Sequence, residues 1–196
     1  ASARTFSLTA IGEAQGYVPS RSGARPGDHI WVSGSIGDAG AGLALALASI
    51  ALHPDLLARF RRPIPRLELG QALASLASAM MDVSDGLLID SCRIAAASGV
   101  SVEVELDRVP LSPAFTAWSG SELEHVLAAA TSGDDYELLL AAPPAHSEEI
   151  RALSDRLNLP LSLIGSIQEG SGLALSWRGD EVPLPERLGF EHRSSV

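Results

Sequence analysis

The order of the apolar segments constrains this chain most, because strand-like and helix-like runs interleave while several strands follow one another at close range. Residues 29–33 form a compact apolar run, and residues 136–141, 161–167 and 173–177 are further ones. Between residues 100 and 106, Val102, Val104 and Leu106 alternate with Ser101, Glu103 and Glu105, the signature of a half-buried strand. Helical spacing marks residues 38–52, 67–79, 84–98, 122–130 and 147–157, with a shorter helix over 55–60. Leu69, Leu73 and Leu76 share one side of the third of these, and Gly99 stands where a helix-ending glycine belongs. Residues 6–11 alternate moderately and predict one more short strand, whereas Pro110 and Pro113 mark a loop. Such closely spaced strands are incompatible with an all-parallel doubly wound sheet. The pattern predicts an α+β fold, a mixed β-sheet with helices packed on one face. Residues 1–25 read as a terminal strand and linker, and residues 26–196 as the folded domain.

Composition narrows the partners. The chain has 196 residues, 46% of them apolar, enough to bury a core without disulfides or structural zinc. The single cysteine, Cys92, fits a small apolar core position and a reducing cytoplasm. A net charge of −10 argues against nucleic acid and anionic membrane surfaces as partners, and the short run Arg59-Phe60-Arg61-Arg62 reads as solvated surface. It does not exclude a nucleotide, since metal ions bridge carboxylates to phosphates. The longest apolar run, residues 39–52, falls short of the roughly 20 needed to span a bilayer. The five histidines have no zinc-ligand spacing, and there is no G-x-S-x-G nucleophile elbow.

Two acidic turns remain. Asp82-Val83-Ser84-Asp85-Gly86 lies between an apolar segment and a helix start, where backbone N–H groups offer an anion site. Asp82 and Asp85, three apart, can face the same way and suit Mg²⁺, which takes one or two carboxylates and fills its remaining positions with water and phosphate. The same residues also suit a plain helix cap through Ser84 or Asp85, and spacing alone favours the cap. Thr131-Ser132-Gly133-Asp134-Asp135-Tyr136-Glu137 precedes an apolar strand and can contact a cation, or be only an Asx-rich turn. The glycines of Gly34-Ser35-Ile36-Gly37 follow no phosphate-loop pattern and read as tight-turn positions.

Taken in order, Arg21-Ser22-Gly23-Ala24-Arg25-Pro26-Gly27-Asp28, the glycine turn, Asp82-Val83-Ser84-Asp85-Gly86-Leu87 and Ser132-Gly133-Asp134-Asp135-Tyr136-Glu137-Leu138 resemble the bacterial thiamine-monophosphate kinases. These belong to the PurM-like superfamily of aminoimidazole ribonucleotide synthetase. The resemblance implies ATP as phosphoryl donor, several Mg²⁺ ions and thiamine phosphate as acceptor. It implies Asp82 and Asp85 as magnesium ligands, Ser84 and Arg21 as ATP contacts, and Asp134 and Phe190 on the thiamine phosphate side. The family commonly has Glu where Asp134 stands, so this side chain is shorter. No general base or nucleophile is implied.

The family's N-terminal Gly-Asp-Asp-Ala-type and Gly-Gly-Asp-Thr segments are missing, so the resemblance implies a C-terminal part, inactive alone, of a cytoplasmic enzyme that dimerises through its N-terminal domain. Residues 6–12 would then be the last strand of that domain. The rival expectations are another superfamily member (aminoimidazole ribonucleotide synthetase, selenophosphate synthetase or a hydrogenase-maturation protein) or a non-catalytic binding module.

Overall fold

A computed structural model describes residues 7–9, 11–14, 16–50 and 52–191. Its seven strands are β1 (His29–Ser33), β2 (Ala79–Val83), β3 (Ser101–Glu105), β4 (Glu137–Ala142), β5 (Leu161–Gln168), β6 (Gly172–Trp177) and β7 (Asp180–Val182). They form one sheet in the order β2-β4-β1-β5-β3-β6-β7. Only β3 and β6 run parallel; every other neighbouring pair is antiparallel. This is the expected mixed α+β sheet.

Its helices are α1 (Asp38–Leu47), α2 (Pro54–Arg61), α3 (Leu67–Leu73), α4 (Leu87–Ser98), α5 (Pro113–Ser119), α6 (Leu123–Ala130) and α7 (Ser147–Leu157). The larger core joins Ile30, Val32, Leu139, Ala141, Val102 and Val104 of the sheet to Leu88 and Ile94 of α4, with Leu45, Phe115 and Val126 from α1, α5 and α6. The opposite face carries a smaller core in which Trp31, Leu140 and Ala142 meet Leu69 and Leu73 of α3 and Ile150 and Leu153 of α7. The one-face expectation is refined here for a simple reason. β1 and β4 are apolar at successive positions, so both of their faces need cover. On β3, alternation leaves Ser101, Glu103 and Glu105 on the partly exposed face, and its valines alone enter the core.

Several element bounds differ from expectation. The strand expected over residues 6–11 is absent from its described part, where Leu8 and Ile11 are 94% and 95% exposed. A lone alternating run has no ladder to join, and residues 6 and 10 lie outside the described residues. The helix expected over 67–79 stops at Leu73, because Ser78 N–H already donates to Ala141 O and Ala79 opens β2. Leu69, Leu73 and Leu76 are nonetheless all buried. The helix expected over 38–52 ends at Leu47, shortly before Ser49 turns left-handed at φ 58°. Pro113 opens α5 rather than a loop: it occupies the first turn, and Ser112 caps the helix by accepting from Phe115 N–H.

Candidate functional site

β2 delivers the first acidic turn. Asp82 lies within the strand, exposed, and its carboxylate has no hydrogen-bond or ion-pair partner among the described residues. The helix begins at Leu87, three residues later than the motif suggested, with Gly86 as its cap residue. The N–H groups expected to offer an anion site are already taken. Asp90, fully buried in the first turn of α4, accepts from Ser84, Asp85 and Gly86 N–H through Oδ2 at 3.0, 3.1 and 3.3 Å. Neither Ser84 nor Asp85 caps the helix, because this carboxylate does so from within. Arg93 Nη1 then bridges Asp90 Oδ1 and Asp85 Oδ2 at 2.6 Å each. Burial pushes the Asp90 carboxyl above its ordinary range, opposed by the N–H donors and by Arg93.

The second acidic turn docks on the first. Asp134 N–H donates to Ser84 O and Tyr136 N–H to Val83 O, both at 2.8 Å. Gly133 permits the approach, since a Cβ there would stand 2.7 Å from Ser84 O. Asp134 and Tyr136 both adopt left-handed backbone, at φ 71° and 51°. Between them Asp135 turns inward and accepts from Gly37 N–H at 2.8 Å and Ala39 N–H at 3.2 Å. The glycine turn before α1 is thus capped by a carboxylate 96 to 98 residues away in sequence. Burial raises the Asp135 carboxyl to about 7, the two N–H donors opposing it. The Tyr136 hydroxyl makes a long 3.4 Å bond to Asp134 Oδ1. Its phenol is pushed up by burial first, then by Asp134, with Asp82 and Asp85 adding to the same field. The fields of three carboxylates, Asp134, Asp82 and Asp85, therefore reach one phenol.

The C-terminal segment reaches the same place. Phe190 N–H donates to Asp85 O at 2.8 Å, Ile89 N–H donates to Leu188 O at 3.1 Å, and the Phe190 ring is exposed. Asp82, Ser84, Asp85, Asp134 and Phe190 thus share one neighbourhood. Arg21 does not join them. Its carbonyl accepts from Ser98 Oγ at 3.5 Å, at the far end of α4 and about 18 Å along the helix from the turn.

Sequence reasoning passed over a buried ionic cluster beside this site. Glu137, the first residue of β4, is fully buried and accepts four bonds. They come from Ser33 Oγ at 2.6 Å, Arg59 Nη2 at 2.5 Å, Arg66 Nε at 2.7 Å and Arg66 Nη2 at 2.5 Å. Gly34 makes room for it, since a Cβ there would overlap the carboxylate. Asp38 in the first turn of α1 accepts from Ser35 and Ser112 hydroxyls at 2.6 Å each. Arg59 is therefore a paired, largely buried cation and not the solvated surface residue its basic run suggested. The available signal was a carboxylate opening an apolar strand, where burial demands a partner.

A cavity of about 970 Å³ opens beside these elements, lined among others by Asp82, Tyr136, Arg66, Gln71, Met80 and Leu138. Among the described residues, no group of three or more His, Cys, Asp or Glu converges closely enough to hold a metal ion unaided. No described helix is long and apolar enough to cross a membrane.

Comparison with known proteins places this geometry. Residues 25–178 match the family model "AIR synthase related protein, C-terminal domain". A thiamine-monophosphate kinase of Caulobacter vibrioides is 42% identical over 192 residues, covering 95% of this chain and 54% of the relative. The crystal structure of a thiamine-monophosphate kinase from Stenotrophomonas maltophilia superposes with a TM-score of 0.76 at 37% identity, over 84% of this chain and 54% of that one. A structure of AaThiL complexed with AMPPCP and TMP superposes with a TM-score of 0.69 at 31% identity, over 87% and 53% respectively. The chain spans about half the length of the relatives it matches.

Proposed function

The chain belongs to the AIR synthase related protein family through its C-terminal domain, and we propose that it is the C-terminal portion of a thiamine-phosphate kinase, transferring the ATP γ-phosphoryl group to thiamine phosphate. One observation carries the reading. The hydrogen bonds from Asp134 N–H to Ser84 O and from Phe190 N–H to Asp85 O bring an acidic turn, an acidic loop and an aromatic tail to one point. A relative over 30% identical is described as complexed with AMPPCP and TMP, an association this reading extends to the present chain.

The reaction joins two phosphate-bearing anions, so its main obstacle is charge repulsion and alignment, not bond activation. The donor set here suits a hard cation. Asp82 has both oxygens uncommitted, Asp85 keeps Oδ1 clear of Arg93, and their field with that of Asp134 reaches the Tyr136 phenol. Asp82 and Asp85 would hold Mg²⁺, with remaining positions left to phosphate, water or residues outside this chain. Bound there, Mg²⁺ supplies charge neutralisation between donor and acceptor. Ser84 orients a phosphate oxygen of ATP, and Arg21 serves the same nucleotide from the far end of α4. Asp134 and Phe190 face thiamine phosphate, whose cationic ring is matched by a carboxylate and an aromatic face. Transfer is direct and in line, with no covalent intermediate and no general base on this chain.

In this reading residues 1–25 lead in from a further domain, residues 26–196 are the C-terminal domain, and the whole enzyme is a cytoplasmic homodimer. The test is a turnover assay with ATP, Mg²⁺ and thiamine phosphate, on this chain and on a longer protein that includes it. The longer protein is expected to form thiamine diphosphate and the chain alone to form none. Absence of product from the longer protein would overturn the reading, and rapid turnover by the chain alone would remove the need for a second domain.

A further inference from the structure

The buried ionic cluster gives its two arginines different surroundings. Both bond Glu137, but Arg66 lines the cavity that Asp82 and Tyr136 also line, while Arg59 lines a separate depression with Asp38, Asp55 and Ser112. Glu137 holds Arg66 in a fork, Nε to Oε2 and Nη2 to Oε1, which fixes the guanidinium plane. Pro63 and Pro65 stiffen the chain leading to it, and Arg66 itself occupies the position just before α3. A guanidinium has five N–H groups and the fork uses two. The other three, including both on Nη1, find no acceptor among the described residues. A largely buried cation with a preset plane and an uncommitted edge is a receptor for a planar pair of anionic oxygens. The cavity has the volume of a small-molecule site.

We propose that Arg66, set in place by Glu137, contacts a phosphate group of a ligand bound in the cavity beside Asp82. The inference rests on the kinase reading only for the identity of that ligand. The chemistry is that of an organic phosphate, either the nucleotide or thiamine phosphate. With Asp82 lining the same cavity, Arg66 supplies the direct cationic contact that a carboxylate cannot.

The test is calorimetric titration of the chain, in Mg²⁺, with tripolyphosphate, ATP and thiamine phosphate, and with adenosine and thiamine as phosphate-free counterparts. Arg66→Gln should weaken at least one phosphate ligand about tenfold to a hundredfold, as loss of a charge-assisted bond does. Adenosine and thiamine binding should not change, and Arg66→Lys should fall between. Loss confined to ATP, or confined to thiamine phosphate, identifies which ligand Arg66 serves. Arg59→Lys disturbs the same carboxylate from outside the cavity and should leave phosphate binding within about twofold.

Equal weakening by Arg59→Lys, equal weakening of the phosphate-free ligands, or no phosphate binding by the wild-type chain overturns the proposal. Thermal melts check folding, and if Arg66→Gln is unfolded, Arg66→Lys carries the comparison with Arg59→Lys. The turnover assay separates the two readings. Arg66-dependent ATP or tripolyphosphate binding by the chain, with no thiamine diphosphate formed by the longer protein, keeps the contact and removes the kinase. Turnover by the longer protein carrying Arg66→Lys, with wild-type KM for both substrates, removes the contact and keeps the kinase.

Discussion

Asp82 and Glu137 stand on neighbouring strands, where Asp82 pairs with Leu138 and Val83 with Glu137, yet the two carboxylates lead opposite lives. Glu137 is fully buried and accepts four charged or hydroxyl donors. Asp82 is exposed and bonds to none of the described residues. An ionised group taken from water survives only with its partners built in, so Glu137 has no capacity left for a ligand. Asp82 is solvated, costs the fold little and keeps its oxygens available. Asp85 and Asp90 repeat the contrast one turn further on, Asp90 serving the backbone and Asp85 standing at the edge.

That contrast is broken or sharpened by substitution. Glu137→Ala strands two largely buried guanidinium groups and should cost about 3–5 kcal/mol in urea unfolding. A loss under about 1 kcal/mol would show that the cluster is better hydrated than its burial indicates. Asp90→Asn keeps the shape but removes the charge shared by three N–H groups and Arg93, with an expected loss of about 2 kcal/mol. Hydrogen exchange should speed first at residues 84–86, and uniform loss of protection would argue against a local cap.

Asp135 makes the contrast visible through pH. Its folded carboxyl titrates near 7, above the unfolded value, so the native state holds the extra proton and stability falls as pH rises from about 4 to 7. The slope approaches about 1.4 kcal/mol per pH unit at most, and Asp135→Asn should flatten it in unfolding curves across that range. Asp90, shifted in the same direction, leaves a residual slope of the same sign. The smallest effect on folding belongs to Asp82→Asn, expected within about 0.5 kcal/mol of wild type. In a longer, active protein both Asp82→Asn and Asp85→Asn should instead slow turnover and raise the Mg²⁺ needed. An unchanged magnesium titration would take the residue out of the metal site.

What the sequence discloses here is local. The alternation of Val102 and Val104 placed β3 within a residue, and the polar-apolar period of residues 147–157 gave the bounds of α7. The acidic turns could be found because a strand end, a glycine and a helix start announce such a turn within a few residues. Hidden were the pairings made across the fold. Glu137 meets Arg66 and Arg59 from 71 and 78 positions away, and no periodicity reports a partner so distant. The cap on α4 stays hidden because a helix expected from residue 84 places Asp90 inside it, past the residues that a cap would serve, and α5 because Pro113 reads as a breaker when it starts a helix. The strand expected at residues 6–11 had a pattern but no neighbour to pair with.

The bond from Phe190 N–H to Asp85 O joins main chain to main chain, so neither side chain takes part in the fastening. The aromatic is thus tied through its own backbone to the aspartate turn. A proline at position 190 would remove this N–H and with it the bond to Asp85 O. A shift of the aspartate turn by a fraction of an ångström is passed directly to whatever side chain rides at position 190.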